Sequence, residues 1–119
     1  MTFSTFNDLA SLDALTLTWV TVGDGRVVLS VTGEVDIATS GELDRTLANV
    51  LHRPSVHRIE VDLAGLRFLD ASGILALLRG SDRARRRGCQ LLLTNVTPGV
   101  RRVLQITGAS SVLGLGDGR

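Results

Sequence analysis

From Leu15 onward, apolar and polar residues recur with periods that change along the chain. Leu15, Leu17 and Trp19 alternate with Thr16, Thr18 and Val20, the period of a half-buried strand. Gly23-Asp24-Gly25 is a turn signal, and Val27–Val31 reads as a second strand, so the two predict an antiparallel hairpin. After Gly33-Glu34-Val35-Asp36 the period lengthens. Leu43, Leu47, Val50 and Leu51 fall on one helical face, and Pro54 ends that helix. Ile59, Val61 and Leu63 alternate with Glu60 and Asp62 as a third strand. Ile74, Leu77, Leu78 and Ala84 form a second helical stripe that stops near Gly88. Leu91-Leu92-Leu93 predicts a fully buried strand, Thr97-Pro98 opens a third helix that Gly108 ends, and Val112-Leu113 is a candidate final strand.

The predicted order is β-β-α-β-α-β-α-β. Strands alternating with helices from the second strand onward imply right-handed βαβ units. The fold class is therefore α/β: a single small domain with a mixed, mostly parallel sheet and packed helices. Residues 1–14 are weakly patterned and read as a flexible lead-in; 15–115 form the domain and 116–119 a tail.

Composition narrows the function. With 119 residues the chain suits one domain, and 44% hydrophobic content suffices for a core. Phe3, Phe6, Trp19 and Phe68 are its only aromatic residues, too few for the stacking platforms of single-strand nucleic-acid binding. Thirteen basic residues against twelve acidic give a net charge of +1, which provides no long-range field for nucleic acid or an anionic membrane. Every basic residue is Arg, so catalytic-lysine mechanisms and lysine-containing phosphate loops are excluded. Cys89 stands alone, ruling out an internal disulfide or a thiolate metal cluster. No signal peptide or membrane-length apolar run is visible, and a cytoplasmic protein is expected.

The chemistry concentrates around Asp70-Ala71-Ser72-Gly73, between the third strand and the second helix. Asp70 or Ser72 can cap that helix. A serine at a helix start is also a good phosphate acceptor, because free N–H groups and the dipole favour an anion there. A nucleophile elbow needs Gly two residues before the serine, where this chain has Asp70, and His52 and His57 should lie at the opposite edge of the sheet. Asp36 and Asp70 should emerge on the same edge. The pair suits Mg²⁺ binding, a polar docking surface, or, with Thr39 and Ser40, capping of the first helix; residue types leave these open. Arg83, Arg85, Arg86 and Arg87 suit the C-terminal end of a helix dipole.

Three segments in order, Val31-Thr32-Gly33-Glu34-Val35-Asp36, Val61 through Gly73, and Arg87-Gly88-Cys89-Gln90-Leu91, resemble the STAS family, the domain of sulfate transporters and anti-sigma factor antagonists. The resemblance implies a non-enzymatic partner-switching antagonist without a cofactor. It would bind an anti-sigma factor serine kinase and so free a sigma factor. The kinase would phosphorylate Ser72, and a PP2C-type phosphatase would reverse this. Gly33, Glu34, Asp36, Asp70, Ala71, Gly73 and Ile74 would form the partner-binding surface. Ala71 stands where many relatives carry a second hydroxyl, and the family's usual final helix has no room after Leu115; a homodimer is one way to cover the surface so left. The alternative implied is an accessory subunit docking on an ABC-type lipid transporter ATPase, without a phosphate switch.

Overall fold

In the computed structural model, which describes residues 14–115, six strands and three α-helices form one mixed sheet with helices packed on it. β1 (Leu15–Thr21) and β2 (Arg26–Val35) make the expected antiparallel hairpin, with Leu15 opposite Gly33 and Thr21 opposite Val27. α1 (Ser40–Leu51) leads to β3 (Arg58–Asp62) and β4 (Leu66–Leu69). α2 (Ala71–Arg86), β5 (Gln90–Thr94), α3 (Pro98–Ile106), a short 3₁₀ turn (Ala109–Ser111) and β6 (Gly114–Leu115) complete the order. The strand order is β1-β2-β3-β5-β6, with every pairing after the first parallel.

Alternation decides which face of the sheet is covered. Val27, Leu29, Val31 and Val35 of β2, Ile59 and Val61 of β3, and Leu91 and Leu93 of β5 are all buried. Their neighbours on the other face are exposed or half-buried. Against the buried face lie Leu43, Leu47, Val50 and Leu51 of α1, the stripe the spacing predicts, with Ile74, Leu77 and Ala84 of α2 and Val100 and Leu104 of α3. α1 packs on α2 closely enough that a Cβ at Gly80 would stand 2.8 Å from Leu47 Cδ1, so this glycine marks a helix contact.

Four expectations need correction. β2 continues through Gly33-Glu34-Val35 instead of ending near Val31. Leu66–Leu69, read as part of the connection to the second helix, is a strand that pairs with the end of β2. β5 alternates: Leu92 is only half-buried between Leu91 and Leu93. The last strand is Gly114–Leu115, because Val112 and Leu113 close the 3₁₀ turn, where Leu113 is buried and Val112 is 54% exposed. The expected lead-in, apart from Ala14, and the expected tail 116–119 lie outside the described residues.

The parallel strands carry their carboxyl ends to one edge. β4 adds to β2 past the point where β3 stops: Val35 pairs with Leu69, and the Asp70 N–H donates to the Val35 carbonyl at 3.2 Å. Asp36 and Asp70 therefore leave adjacent strands side by side, at the crevice position typical of ligand and partner sites in open α/β sheets. His57 lies at the other edge, where its N–H donates to Gly25.

Candidate functional site

Asp70 is the N-cap of α2. Its Oδ1 accepts the N–H of Ser72 at 2.9 Å, the N–H of Gly73 at 3.2 Å and the Ser72 hydroxyl at 2.6 Å. This settles the two capping options: Asp70 caps, and Ser72, at the second helical position, donates to the cap. It also changes the anion argument. The N–H groups of Ser72 and Gly73 are already taken by a carboxylate, so a phosphate on Ser72 would not meet these two as free donors.

The Ser72 hydroxyl is the main cause holding the Asp70 carboxyl below its ordinary value of 3.8. Burial opposes it, and the backbone N–H groups of Gly73 and Ser72 add to the lowering. A depressed folded value means the ionised cap stabilises the fold above the unfolded value and loses that contribution as pH falls through the folded one. Replacing Asp70 with Ala should therefore cost about 1 kcal/mol at neutral pH, the usual worth of such a cap. In urea unfolding the gap between variant and parent should narrow as pH drops well below 3.8. A gap independent of pH would mean that Asp70 acts through packing and not through its charge.

Asp36 is held by its own turn. Its Oδ1 accepts from Ala38 N at 2.9 Å and Thr39 N at 3.1 Å. The hydroxyl of the buried Thr39 accepts the Asp36 N–H at 2.9 Å and donates to the Glu34 carbonyl at 3.0 Å. Asp36 thus closes the turn entering α1, and Thr39 fixes it from beneath. The expected capping of α1 is not what Asp36 does: the N-cap is Thr39, which makes no side-chain cap hydrogen bond, and Asp36 closes the turn before it with its side chain still partly exposed. Among the described residues no group of three or more His, Cys, Asp or Glu side chains is placed to hold a metal ion.

Glu34 lies in register with Phe68 at this edge and faces Arg67 at 4.0 Å, and Ala71 is exposed. Three residues expected on the docking surface turn inward instead. Gly33 and Gly73 are buried, a Cβ on Gly73 standing 2.7 Å from Val35 Cγ1, and Ile74 is only 6% exposed in the core. They support the loops from below. The apolar residues that do face outward at this edge and on the first turns of α2 include Ile37 at 84%, Phe68 at 48% and Leu75 at 52% exposure, none of them among the residues expected to form the partner surface. Helical spacing did not single out Leu75, because it stands three residues before Leu78, a member of the expected Ile74, Leu77, Leu78 and Ala84 stripe.

Residues 20–114 match a family model described as "Mlab, STAS domain", which takes in both carboxylate turns and all of α2. The chain belongs to the STAS domain family. Among STAS relatives, the anti-sigma F factor antagonist of Paenibacillus polymyxa is 25% identical over 93 residues, 78% of this chain and 80% of that protein. The crystal structure of an anti-sigma factor antagonist from Mycobacterium paratuberculosis superposes with a TM-score of 0.74 at 25% identity, covering 87% of this chain and 86% of that one. The phosphorylated form of the Bacillus cell fate determinant SpoIIAA gives 0.67 at 20% identity, over 87% and 93% of the two chains. The last likeness speaks for the STAS fold alone. Among the described residues no helix is long and apolar enough to cross a membrane.

Proposed function

We propose that this chain is an anti-sigma factor antagonist: it binds an anti-sigma factor that is also a serine kinase, and phosphorylation of Ser72 switches it off. In its unmodified form it holds the kinase and so frees a sigma factor for transcription. A PP2C-type phosphatase restores the binding form. The protein supplies a surface and a hydroxyl; the phosphoryl-transfer chemistry belongs to the partner.

The observation that carries this reading is the Ser72 hydroxyl, half-buried on the first turn of a rigid helix and oriented by Asp70 at 2.6 Å. A kinase needs an acceptor held in place at an accessible edge, and a hydroxyl hydrogen-bonded to a carboxylate is positioned for that. Glu34, Asp36, Asp70 and Ala71 form the exposed and half-exposed part of the proposed contact, with Gly33, Gly73 and Ile74 beneath it. The names of the relatives in the same family support the general role.

The test is displacement. Added to a preformed complex of the anti-sigma factor kinase and its sigma factor, the unphosphorylated chain should release the sigma factor, and Ser72→Ala should do so as well. If neither form binds the kinase, the reading is wrong. The accessory-subunit alternative differs at one point: docking on a transporter ATPase would be indifferent to a charge at position 72, so Ser72→Asp should bind that ATPase as the parent does.

A further inference from the structure

The main strand order ends in β1 on one side and β6 on the other, and the two edges are unlike. β6 has two residues, short enough to offer little to another chain. β1 runs for seven, Leu15–Thr21, in unbroken antiparallel register with β2. From Leu15 to Val22 the chain has no charged residue and no proline, and the register shows no bulge. Charge, proline, bulges and shortness are what ordinarily keep an edge from pairing with a second chain, and β1 carries none of them.

The hydrogen-bond parity of the hairpin tells which backbone groups face outward. The Val22 N–H donates to the Arg26 carbonyl at 2.9 Å, so Val22 turns its backbone toward β2. In an antiparallel pair such residues alternate with residues whose groups point away. With no break in register, Thr16, Thr18 and Val20 bond β2, while Leu15, Leu17, Trp19 and Thr21 direct N–H and C=O outward. Among the described residues none of these outward groups has a backbone partner. The side chains alternate as well: Leu17 and Trp19 are partly covered by the core, and Val20 is 57% exposed on the other face.

We propose that a second copy of this chain pairs with it along β1, antiparallel, joining the two sheets into one. The strand is its own complement. Laid on itself over its full length, it sets Thr18 opposite the partner's Thr18, Leu17 opposite the partner's Trp19, and Thr16 opposite the partner's Val20. Residues of equal parity meet, so like faces stay together and the outward backbone groups find donors and acceptors on the partner. A leucine–tryptophan pair forms twice on the helix-covered face, and the contact is isologous, so it closes at two copies. An uncharged edge gives a foreign strand no electrostatic selection, whereas a second copy matches it in length and in pattern. Since the two β1 strands run oppositely, the carboxyl ends of the parallel strands point opposite ways in the two copies. A Ser72 edge is therefore left open at each end of the joined sheet, and the dimer presents two of them.

Sedimentation velocity of the purified chain tests this without any kinase, so its outcome is separate from that of the Ser72 reading. At about 100 µM the parent should sediment mainly as a dimer. The emission of Trp19, the only tryptophan, should shift to the blue over the same concentration range as the partner's Leu17 covers its ring. Thr18→Glu and Thr18→Arg, both folded by circular dichroism, each oppose like charges at the twofold axis and should dimerise about tenfold more weakly. Mixed in equal amounts, the two variants should recover at least the parent's affinity. Gln90→Glu, at an exposed position on β5, should dimerise as the parent does. A parent that stays monomeric at that concentration overturns the proposal. Thr18 variants that dimerise as the parent does would put the contact elsewhere and overturn it as well. A mixture no tighter than either variant alone would overturn the antiparallel register about Thr18.

Discussion

Incubated with its anti-sigma factor kinase and ATP, the chain should gain the mass of a single phosphate, and Ser72→Ala should gain none. The phosphorylated form should then bind the kinase about a hundredfold more weakly, a loss of about 2.8 kcal/mol at about 1.4 kcal/mol per decade. The size follows from what the phosphate meets. Ser72 Oγ donates to Asp70 Oδ1 at 2.6 Å, a bond that a phosphoester cannot make because its oxygen has lost the proton. The new group, with a charge of about −1.5 to −2, lies beside a carboxylate already held ionised, and the nearest N–H groups of α2 belong to that carboxylate. With those two N–H groups occupied, the charge projects onto whatever is docked there and repels any acidic group of the partner while demanding desolvation. Intact mass spectrometry reads the first half and calorimetry the second. Phosphate appearing equally on Ser72→Ala, or phosphorylated chain that binds as tightly as before, would rule out Ser72 as the switch.

How much of this could be read before the coordinates depended on how local the cause was. The α1 stripe of Leu43, Leu47, Val50 and Leu51 was legible because a 3.6-residue period needs only its own twelve residues to declare itself. The convergence of Asp36 and Asp70 was legible too, since parallel strands bring their carboxyl ends to one edge whatever the details. β4 was not legible. It has four residues, Arg67 and Phe68 are both exposed, and it pairs only with the last three residues of β2, across a register shift between Gly33 and Glu34. Such a strand is created by its neighbour rather than by its own alternation. The choice between Asp70 and Ser72 as the cap was likewise hidden, because both residue types are good caps and only backbone geometry separates them. The burial of Gly33, Gly73 and Ile74 shows the limit of a motif: its residues can be constrained by packing as well as by contact with a partner.

Gly33 shows how packing of that kind reaches the site, and replacing it with Ala should have the largest effect on stability of any change considered. Its φ of 110° lies where side-chain-bearing residues are strained, by about 1–3 kcal/mol. A Cβ there would also collide with the backbone carbonyl of Ala14, and backbone cannot step aside as a flexible side chain can. Gly33 is further fixed by pairing with Leu15 of β1 and by an N–H bond to the Gly65 carbonyl at 2.9 Å. Relaxing away from the clash therefore means losing ladder contacts on both sides. A total cost of about 3 kcal/mol or more is expected from strain and overpacking together, which lowers Tm by roughly 10 °C or more in a domain this size. Thr18→Ala, on the exposed face of β1, should move Tm by only a degree or two, on the order of 0.5 kcal/mol. Because Gly33 sits at the register shift that lets Val35 meet Leu69, the variant should also lose affinity for the kinase at temperatures where it is still folded. A Gly33→Ala protein that melts with the parent would mean the β1 end yields freely, and the alignment of Asp36 with Asp70 would then owe nothing to this glycine.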